Sequence, residues 1–440
     1  MIWLDLIVVL VCIIAGARLG GIGLGTVAAL GMSFFVFGLG RVPGQFPGEV
    51  LLIVLCVVTL AASLQAAGGL DLMVSIAEKA LRRHPSQITF LAPLISYLFT
   101  FVSGTGHVSY SLLPIIAEVA RKVKERPERP LSISVIASQA AVTASPMSAA
   151  TAGMVALLSR GGRFGLTDIL LVCIPSTLIG VLAGALAVRK MGLELDDDPV
   201  YQQRLSRGEV GSDGSTEVRA VRAGAKSSVL IFVGAVIVIT LLGLAPGLRP
   251  EFLVDGEPQK LSMVFSISLV TLSATAWILF ASKVSPDAVV TGSVMKAGIV
   301  AVISILGIAW LGSTFFENHQ AEILGSISTY LQQYPLLFSF ALFLLSILLY
   351  SQAATVAALM PVGLQLGLAP PLLLAMFPAV NGYFFLPTYA TIVAAIQFDS
   401  TGTTSIGKWV LNHSFMRPGL VTTVVALVVG FAVSRALYGS

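Results

Sequence analysis

The sequence SGTGHVSYSLLP, residues 103–114, interrupts an apolar stretch that runs from residue 87 to residue 120. A second apolar stretch, residues 335–366, is interrupted in the same way by SQAATVAALMP, residues 351–361. Each insert begins with small polar residues and ends at a proline, so neither stretch fits a simple membrane crossing by one helix. We therefore interpret both stretches as re-entrant helical hairpins, which enter a membrane and return to the side they came from.

The composition indicates a membrane protein independently of any motif. Of the 440 residues, 56% are hydrophobic and only 11% are charged, against about 25% charged residues in an ordinary soluble domain. The mean hydropathy is +0.92. A chain with so little charge cannot cover its apolar surface in water, which excludes soluble enzymes, nucleic-acid binders and disulfide-rich secreted domains. The net charge of +4 is expected from basic cytoplasmic loops and indicates no nucleic-acid partner.

Ten further apolar segments are long enough to cross a bilayer, and their continuous hydrophobicity favours helices over a barrel. These candidate spans are residues 2–17, 19–40, 48–69, 131–157, 166–188, 227–247, 263–281, 288–311, 372–398 and 419–437. With both termini outside, nineteen Lys and Arg residues lie inside and six lie outside, in agreement with the positive-inside rule. The sequence therefore predicts an all-α polytopic membrane protein with about ten transmembrane helices and two re-entrant hairpins.

The two interrupted stretches belong to two halves with the same order of segments. Each half has three spans, a hairpin and two more spans, and each hairpin is followed by a span broken at a proline, Pro146 or Pro387. The first half begins outside and the second begins inside, which makes them inverted repeats of the kind found in secondary transporters. We assign residues 1–188 to the first repeat, 189–226 to a flexible cytoplasmic linker, and 227–440 to the second repeat.

Small polar residues at the four interruptions form the candidate substrate site. A broken helix frees backbone NH groups at membrane depth, and a helix N-terminus suits a carboxylate. The neighbouring side chains add neutral hydrogen-bond partners, although each could instead bond its own backbone. The candidates are Ser103, Gly104, Thr105, Gly106, His107, Ser138, Gln139, Thr143, Ser145, Ser351, Gln352, Asn381, Tyr383 and Thr388, with the helix breaks at Pro146 and Pro387.

His107 is the one histidine that the sequence places in an intramembrane segment. Two interpretations stay open: it binds a carboxylate or relays a proton, or it stays neutral and bonds a backbone carbonyl at the hairpin tip. The other histidines, His84, His319 and His413, fall in predicted loops without a cluster of metal ligands. The sequence contains no nucleotide-binding or hydrolase motif of the GxxxxGK[ST], HExxH or GxSxG kind, so we expect neither an enzyme nor a bound metal or cofactor.

Long strings of the sequence resemble the anaerobic C4-dicarboxylate transporter (Dcu) family. In the first half these strings are GARLGGIGLG at 16–25, SGTGHVSYSLLPIIAEVA at 103–120 and IPSTLIG at 174–180. In the second half they are YSQAATVAALMPV at 350–362 and LPTYATIVAAIQFDSTGTTSIGKWVLNHSF at 386–415. The strings GTGHV and NHSF are most similar to the branch associated with fumarate uptake and succinate export.

The resemblance implies a secondary antiporter of the bacterial inner membrane, with both termini in the periplasm. It would exchange fumarate, malate or aspartate for succinate by alternating access during anaerobic respiration, with membrane lipid and the C4-dicarboxylate substrate as its partners. The sequence leaves open whether a proton or sodium ion accompanies the substrate and whether the protein is a homo-oligomer. The alternative is a sodium or proton antiporter on a related two-hairpin scaffold, which the scarcity of intramembrane Asp and Glu argues against.

A second site is implied by the resemblance at residues 397–403. This stretch matches a family segment linked to substrate sensing with a partner sensor kinase, and Asp399 and Thr401 occupy the matching positions. In the fumarate and succinate branch a lysine is expected shortly before the SQAA string, where this chain has Ile347-Leu-Leu-Tyr350. That departure argues against a sensor-kinase partner here, and a membrane-embedded sensor without transport stays open as a third interpretation.

Overall fold

The computed structural model of the protein is built almost entirely of helices. It describes residues 2–19, 21–159, 164–210, 222–254, 257–334, 336–349, 351–387, 389–407 and 411–439. Up to the linker, the helices are α1 (Ile2–Leu19), α2 (Gly23–Ser33), α3 (Gly48–Ala66), α4 (Gly69–Arg83), α5 (Ile88–Ser103), α6 (Ser109–Lys122), α7 (Glu128–Ala144), α8 (Ala149–Leu158) and α9 (Leu166–Val188).

The linker and the second half add ten helices within the described residues. They are α10 (Pro199–Ser206), α11 (Ala225–Leu244), α12 (Met263–Ser282), α13 (Pro286–Val290), α14 (Ser293–Gln333), α15 (Leu336–Leu349), α16 (Gln352–Gln365), α17 (Pro370–Met376), α18 (Ala390–Phe398) and α19 (Met416–Tyr438). A π-helical segment, Phe34–Gly38, extends α2, and a 3₁₀ segment, Phe377–Phe384, follows α17. The described strands are limited to one antiparallel pair, β1 (Glu251–Val254) with β2 (Glu257–Lys260), in which Phe252 lies opposite Gln259.

The apolar helices confirm the prediction of an all-α polytopic membrane protein. Among the described residues, eight helical segments are long and apolar enough to cross a membrane: Gly48–Ala66, Pro85–Ser103, Glu128–Leu158, Leu166–Val188, Ala225–Leu244, Met263–Ser282, Ser293–His319 and Met416–Tyr438. Three shorter apolar helices accompany them: Ile2–Gly16, Gly23–Gly38 and Leu336–Ile347. The number of crossings and the inverted repeats stay predictions.

Helix α4 is amphipathic and was not among the predicted spans. Its buried face includes Met73, Ala77 and Leu81, whereas Arg82 pairs across the polar face with Glu118 of α6 at 3.1 Å. A search for continuous apolar runs overlooks such a helix, because only one stripe of its surface is hydrophobic.

Both interrupted stretches fold back on themselves. Thr89, near the start of α5, donates its hydroxyl to Glu125 at 3.0 Å, although Glu125 lies beyond the end of α6. Phe338, in the first turn of α15, packs so closely on Gly363 of α16 that a Cβ at this glycine would lie 2.8 Å from the ring. Because the start of one helix contacts the end of the next, α5–α6 and α15–α16 are antiparallel pairs, which we call the first and second hairpins.

The two predicted helix breaks are present in the structure. The chain leaves helical conformation around Pro146, between α7 and α8, and around Pro387, between the 3₁₀ segment and α18. Ser148 caps α8 because its hydroxyl accepts a hydrogen bond from the backbone NH of Thr151 at 3.0 Å. Proline lacks a backbone NH and cannot complete the helical hydrogen-bond ladder, which favours a break at these two positions, whereas Pro93, Pro114, Pro175 and Pro361 lie inside helices of this chain.

The first part of the linker is docked against the rest of the protein. Asp198 caps α10 and pairs with Arg126, which lies just before α7. Glu194 pairs with Arg129 at 3.0 Å, and Leu195 is fully buried. The expected flexible tether therefore does not describe this part of the linker, because its acidic side chains pair with arginines that are distant in the sequence.

We expect Asp198→Asn to destabilise the protein, because breaking a buried ion pair costs about 3 kcal/mol. Burial alone would raise the pKa of Asp198, but the hydrogen bond from the Tyr201 amide and the pairing with Arg126 together lower it. The stabilisation is therefore complete above the carboxyl pKa of the unfolded chain and is lost as the pH falls through the lowered pKa of the folded protein.

Thermal unfolding of the detergent-solubilised protein measures this effect. The difference in unfolding temperature between Asp198→Asn and the unsubstituted protein should be largest near pH 7 and should shrink in acid. Asp197→Asn is the control, since Asp197 is exposed on the same segment. Equal unfolding temperatures for both variants at pH 7 would contradict the role given to Asp198.

Candidate functional site

The four interruptions meet at one cavity of about 460 Å³. Helices α8, α16 and α18 begin at this cavity, and the turn that leads into α6 also lines it. Helices α3 and α14 close the cavity with an apolar wall that includes Val57, Ala61, Ala297 and Ala301. The cavity therefore combines several helix N-termini with a hydrophobic surface.

The lining is polar at the helix ends but carries no fixed charge. Among the described lining residues none is Asp, Glu, Lys or Arg, and the polar side chains are Ser103, Thr105, Tyr110, Gln139, Ser304, Ser351, Gln352, Tyr389 and Thr391. The first NH groups of a helix have no partner within the helix, and they carry a positive partial charge. Such a cavity can hold an anion through neutral donors and helix dipoles.

Seven of the predicted site residues line the cavity: Ser103, Gly104, Thr105, Gly106, Gln139, Ser351 and Gln352. The two halves meet at their amide side chains. Gln352 donates its Nε2 to Oε1 of Gln139 at 2.9 Å, and the same nitrogen lies 3.3 Å from Oδ1 of Asn381. Asn381 is buried behind Gln352 and does not itself line the cavity.

Four other predicted residues donate their hydroxyls to backbone carbonyls and do not line the cavity. Ser138 and Thr143 donate to carbonyls of their own helix. Ser145 donates to a carbonyl of α5 at 2.6 Å, and Tyr383 donates to a carbonyl of α7 at 3.4 Å. Ser138 and Thr143 thus bond their own helix and Ser145 and Tyr383 bond a neighbouring one, a difference that the sequence alone does not specify.

Two predicted site residues fall outside the part of the chain that the structure describes. Thr388 and the side chain of His107 are outside the described residues. Their chain neighbours Gly106 and Tyr389 both line the cavity. The role of His107 stays a prediction with both of its interpretations.

Four polar residues of the cavity were not singled out from the sequence: Tyr110, Ser304, Tyr389 and Thr391. Thr391 lies in the first turn of α18, is only 2% exposed, and its hydroxyl has no hydrogen-bond partner among the described residues. Buried hydroxyls in proteins are nearly always paired, so an unpaired one that also lines a cavity is a candidate ligand contact. The sequence could have indicated Thr391 as a site residue, because it lies four residues after the helix break at Pro387.

Asp399 and Thr401 lie away from the cavity, in the loop between α18 and α19. The Asp399 carboxylate accepts hydrogen bonds from the backbone NH groups of Thr401 at 2.9 Å and Thr404 at 2.6 Å, and from the hydroxyl of Thr403 at 2.9 Å. Arg204 of the linker donates to the carbonyl of Ser400 at 3.2 Å. Asp399 thus organises its own loop, which the linker contacts.

Two solved structures share the fold along most of the chain. The YdaH transporter of Alcanivorax borkumensis is 17% identical with a TM-score of 0.57, and the likeness covers 99% of this chain and 97% of that one. MtrF of Neisseria gonorrhoeae is 13% identical with a TM-score of 0.53, covering 92% of this chain and 83% of that one. This chain therefore shares the fold of these two proteins.

The sequence relatives define the family. The family described as anaerobic C4-dicarboxylate membrane transporter matches residues 1–438. DcuA of Wolinella succinogenes is 42% identical, over 99% of this chain and 100% of its own length. DcuB of Escherichia coli O6:H1 is 41% identical over 99% of both chains, and DcuA of Escherichia coli K12 is 41% identical over 98% of both. This chain belongs to the anaerobic C4-dicarboxylate membrane transporter family, as its motifs predicted, and its relatives are transporters and not enzymes.

Proposed function

We propose that the protein exchanges C4-dicarboxylates across the bacterial inner membrane, taking up fumarate, malate or aspartate and releasing succinate. The observation that carries this proposal is the cavity at which α8, α16 and α18 begin and whose described lining has no fixed charge. The printed names of the relatives, which include both DcuA and DcuB, support C4-dicarboxylates as the substrate class.

The substrate fits against the polar helix starts of the cavity. Residues 104–106 and the starts of α8, α16 and α18 all contribute to its lining. Backbone NH groups and hydroxyls of these segments bind the two carboxylates. The short hydrocarbon part of the dicarboxylate then lies along the apolar wall of α3 and α14.

We infer alternating access from the origin of the lining. Both halves of the chain contribute to it, and they touch through Gln139 and Gln352. Opposed repeats that rock around a central site would expose the bound dicarboxylate first to one side and then to the other. In this arrangement both termini are periplasmic and the docked linker is cytoplasmic.

A cation antiporter is the alternative function, and the cavity disfavours it. Carriers of protons or sodium usually bind the ion with an intramembrane Asp or Glu, and the described lining of this cavity has neither. Cation flux that continues without any dicarboxylate would support the alternative.

Counterflow in reconstituted vesicles tests the proposal. Proteoliposomes loaded with succinate should take up labelled fumarate, and external malate or aspartate should compete with it. Vesicles loaded with buffer alone and protein-free vesicles are the controls. Equal uptake with and without internal succinate would contradict exchange.

We expect Thr391→Val to slow fumarate uptake roughly 10-fold, since one hydrogen bond to a charged group contributes about 1.5 kcal/mol. The loss should appear mainly as weaker apparent substrate affinity. Thr422→Val is the matched control, because Thr422 is also buried with an unpaired hydroxyl but lies outside this cavity. Equal uptake by the two variants would exclude Thr391 from the site.

A further inference from the structure

A buried charged cluster lies outside the cavity, where α1, the segment after α2 and α14 meet. Asp5 is 1% exposed, and its Oδ2 lies 2.8 Å from Nε of Arg41 and 2.7 Å from Nε2 of His319. His319 is also buried, and at this residue α14 departs from helical geometry, with φ −125° and ψ 15°. The prediction of His319 in a loop is wrong, because the residue lies within α14, where it contacts Asp5, 314 residues away in the chain.

The contacts of His319 specify where it can take up a proton. A carboxylate can only accept hydrogen bonds, so in the neutral ring the hydrogen-bond network assigns the proton to Nε2, facing Asp5. The other nitrogen, Nδ1, then has a free electron pair. Nδ1 lies 3.7 Å from Oε2 of Glu322, one turn further along α14. A second proton on Nδ1 would therefore place an imidazolium between two carboxylates.

Two members of the cluster reach water. The Glu322 side chain is 60% exposed and that of Arg41 is 18% exposed, whereas the ring of Phe315 lies 5.3 Å from the imidazole. Among the described residues, Asp5 and Glu322 are the charged groups within ion-pair distance of His319, and Arg41 acts on it through Asp5. A proton can thus reach Nδ1 past Glu322.

Helix α14 connects this cluster to the cavity. Its first turns contribute six residues to the cavity wall: Val294, Ala297, Gly298, Val300, Ala301 and Ser304. Further along, Trp310 donates its ring NH to the carbonyl of Gly44 at 2.9 Å, and Asn318 donates to the carbonyl of Val42 at 2.8 Å. These bonds tie α14 to the segment that carries Arg41. A change of charge at the bend of α14 therefore acts on the same helix that lines the cavity.

We propose that His319 is a proton-binding site that controls dicarboxylate exchange. This inference rests on the proposed function. One proton from water binds Nδ1 without breaking a covalent bond, and the imidazolium attracts Glu322 while keeping its hydrogen bond to Asp5. The added attraction stabilises the bend of α14 and thereby favours one orientation of the carrier. Histidine suits this role because it is the side chain that changes charge near neutral pH.

The pH profile of exchange tests the control function. Succinate-loaded vesicles of the unsubstituted protein should change their fumarate uptake rate at least threefold between pH 5.5 and pH 8.0. His319→Gln should keep at least a third of the maximal rate and lose this dependence, since glutamine still donates to Asp5 but binds no proton. His84→Gln, at an exposed histidine, should keep the original profile.

Two further measurements keep the test decisive. Glu322→Gln, at an exposed position, should shift the profile to lower pH because the imidazolium loses one carboxylate. In the full-length protein with labelled histidine rings, the magnetic resonance signal that His319→Gln removes should titrate between pH 5.5 and pH 8.0. A non-titrating signal, or an unchanged pH profile in His319→Gln, overturns the proposal. Absence of any fumarate uptake together with a titrating signal would instead reject the proposed function and leave the proton site intact.

Discussion

Replacing Gln139 by leucine is expected to reduce fumarate exchange roughly 100-fold while the protein stays folded, since buried amides left without partners cost about 1–3 kcal/mol each. Gln139 is 2% exposed and lies at the point where the two halves touch. Leucine has a similar volume, so the packing of α7 should survive. The substitution removes an amide that lines the cavity, and it leaves Gln352 without its hydrogen-bond partner from the first half of the chain.

The measurement is the initial rate of labelled fumarate uptake into succinate-loaded vesicles, with the amount of folded protein determined by size-exclusion chromatography. Gln65→Leu is the matched control. Its amide also joins two helices, through a 2.7 Å bond to the hydroxyl of Ser293, but it does not line the cavity. We expect less than a threefold effect there. An uptake rate for Gln139→Leu close to that of the control would remove Gln139 from the site.

Gln139→Glu separates the two candidate functions. A carboxylate at this position repels a dianion in a cavity of low dielectric constant, so dicarboxylate exchange should be lost as completely as in the leucine variant. A carrier of protons or sodium would keep or gain cation flux, because the new carboxylate is an ion ligand.

Replacing Gly104 by alanine is expected to abolish exchange and to lower thermal stability. Gly104 ends α5 with φ +74°, a conformation that costs an L-residue about 1 kcal/mol. The larger effect is steric, since an alanine Cβ would lie 2.0 Å from the backbone carbonyl oxygen of Met147. A carbonyl in the α7–α8 break cannot rotate away as a flexible side chain can. The tip of the first hairpin must therefore separate from the break, which opens the cavity.

Gly208→Ala is the matched control for the backbone conformation. Gly208 has φ +69°, but a Cβ there would meet no atom of the described residues within 4 Å. Gly208→Ala should lower the thermal stability only by the cost of the positive φ and should retain normal exchange. Normal exchange by Gly104→Ala would show that the tip need not touch the break for transport.

Local chemistry made much of the architecture predictable. Continuous apolar runs predicted the helices, because a chain inside hydrocarbon must pair its backbone NH and carbonyl groups with each other, and a helix does so. The breaks around Pro146 and Pro387 were predictable, since each proline removes a helical hydrogen bond and lies beside small polar residues that can bond the freed backbone groups, whereas Pro93, between apolar residues, lies inside α5. Polar inserts such as residues 103–109 could be recognised as turns, because their small polar residues and glycines interrupt the apolar run locally.

The tertiary structure alone decided which side chains meet. Ser138 and Thr143 bond their own helix whereas Thr391 faces the cavity, and that difference depends on how each helix is rotated against its neighbours. The pairing of His319 with Asp5 joins residues from opposite ends of the chain. Composition and periodicity determined that this is a helical membrane protein with interrupted segments, because these are properties of neighbours in sequence. The cavity, the docked linker and the proton site depend on contacts between residues that are far apart in the sequence, from 65 residues for Glu194 and Arg129 to 314 for His319 and Asp5, and only packing in three dimensions creates them.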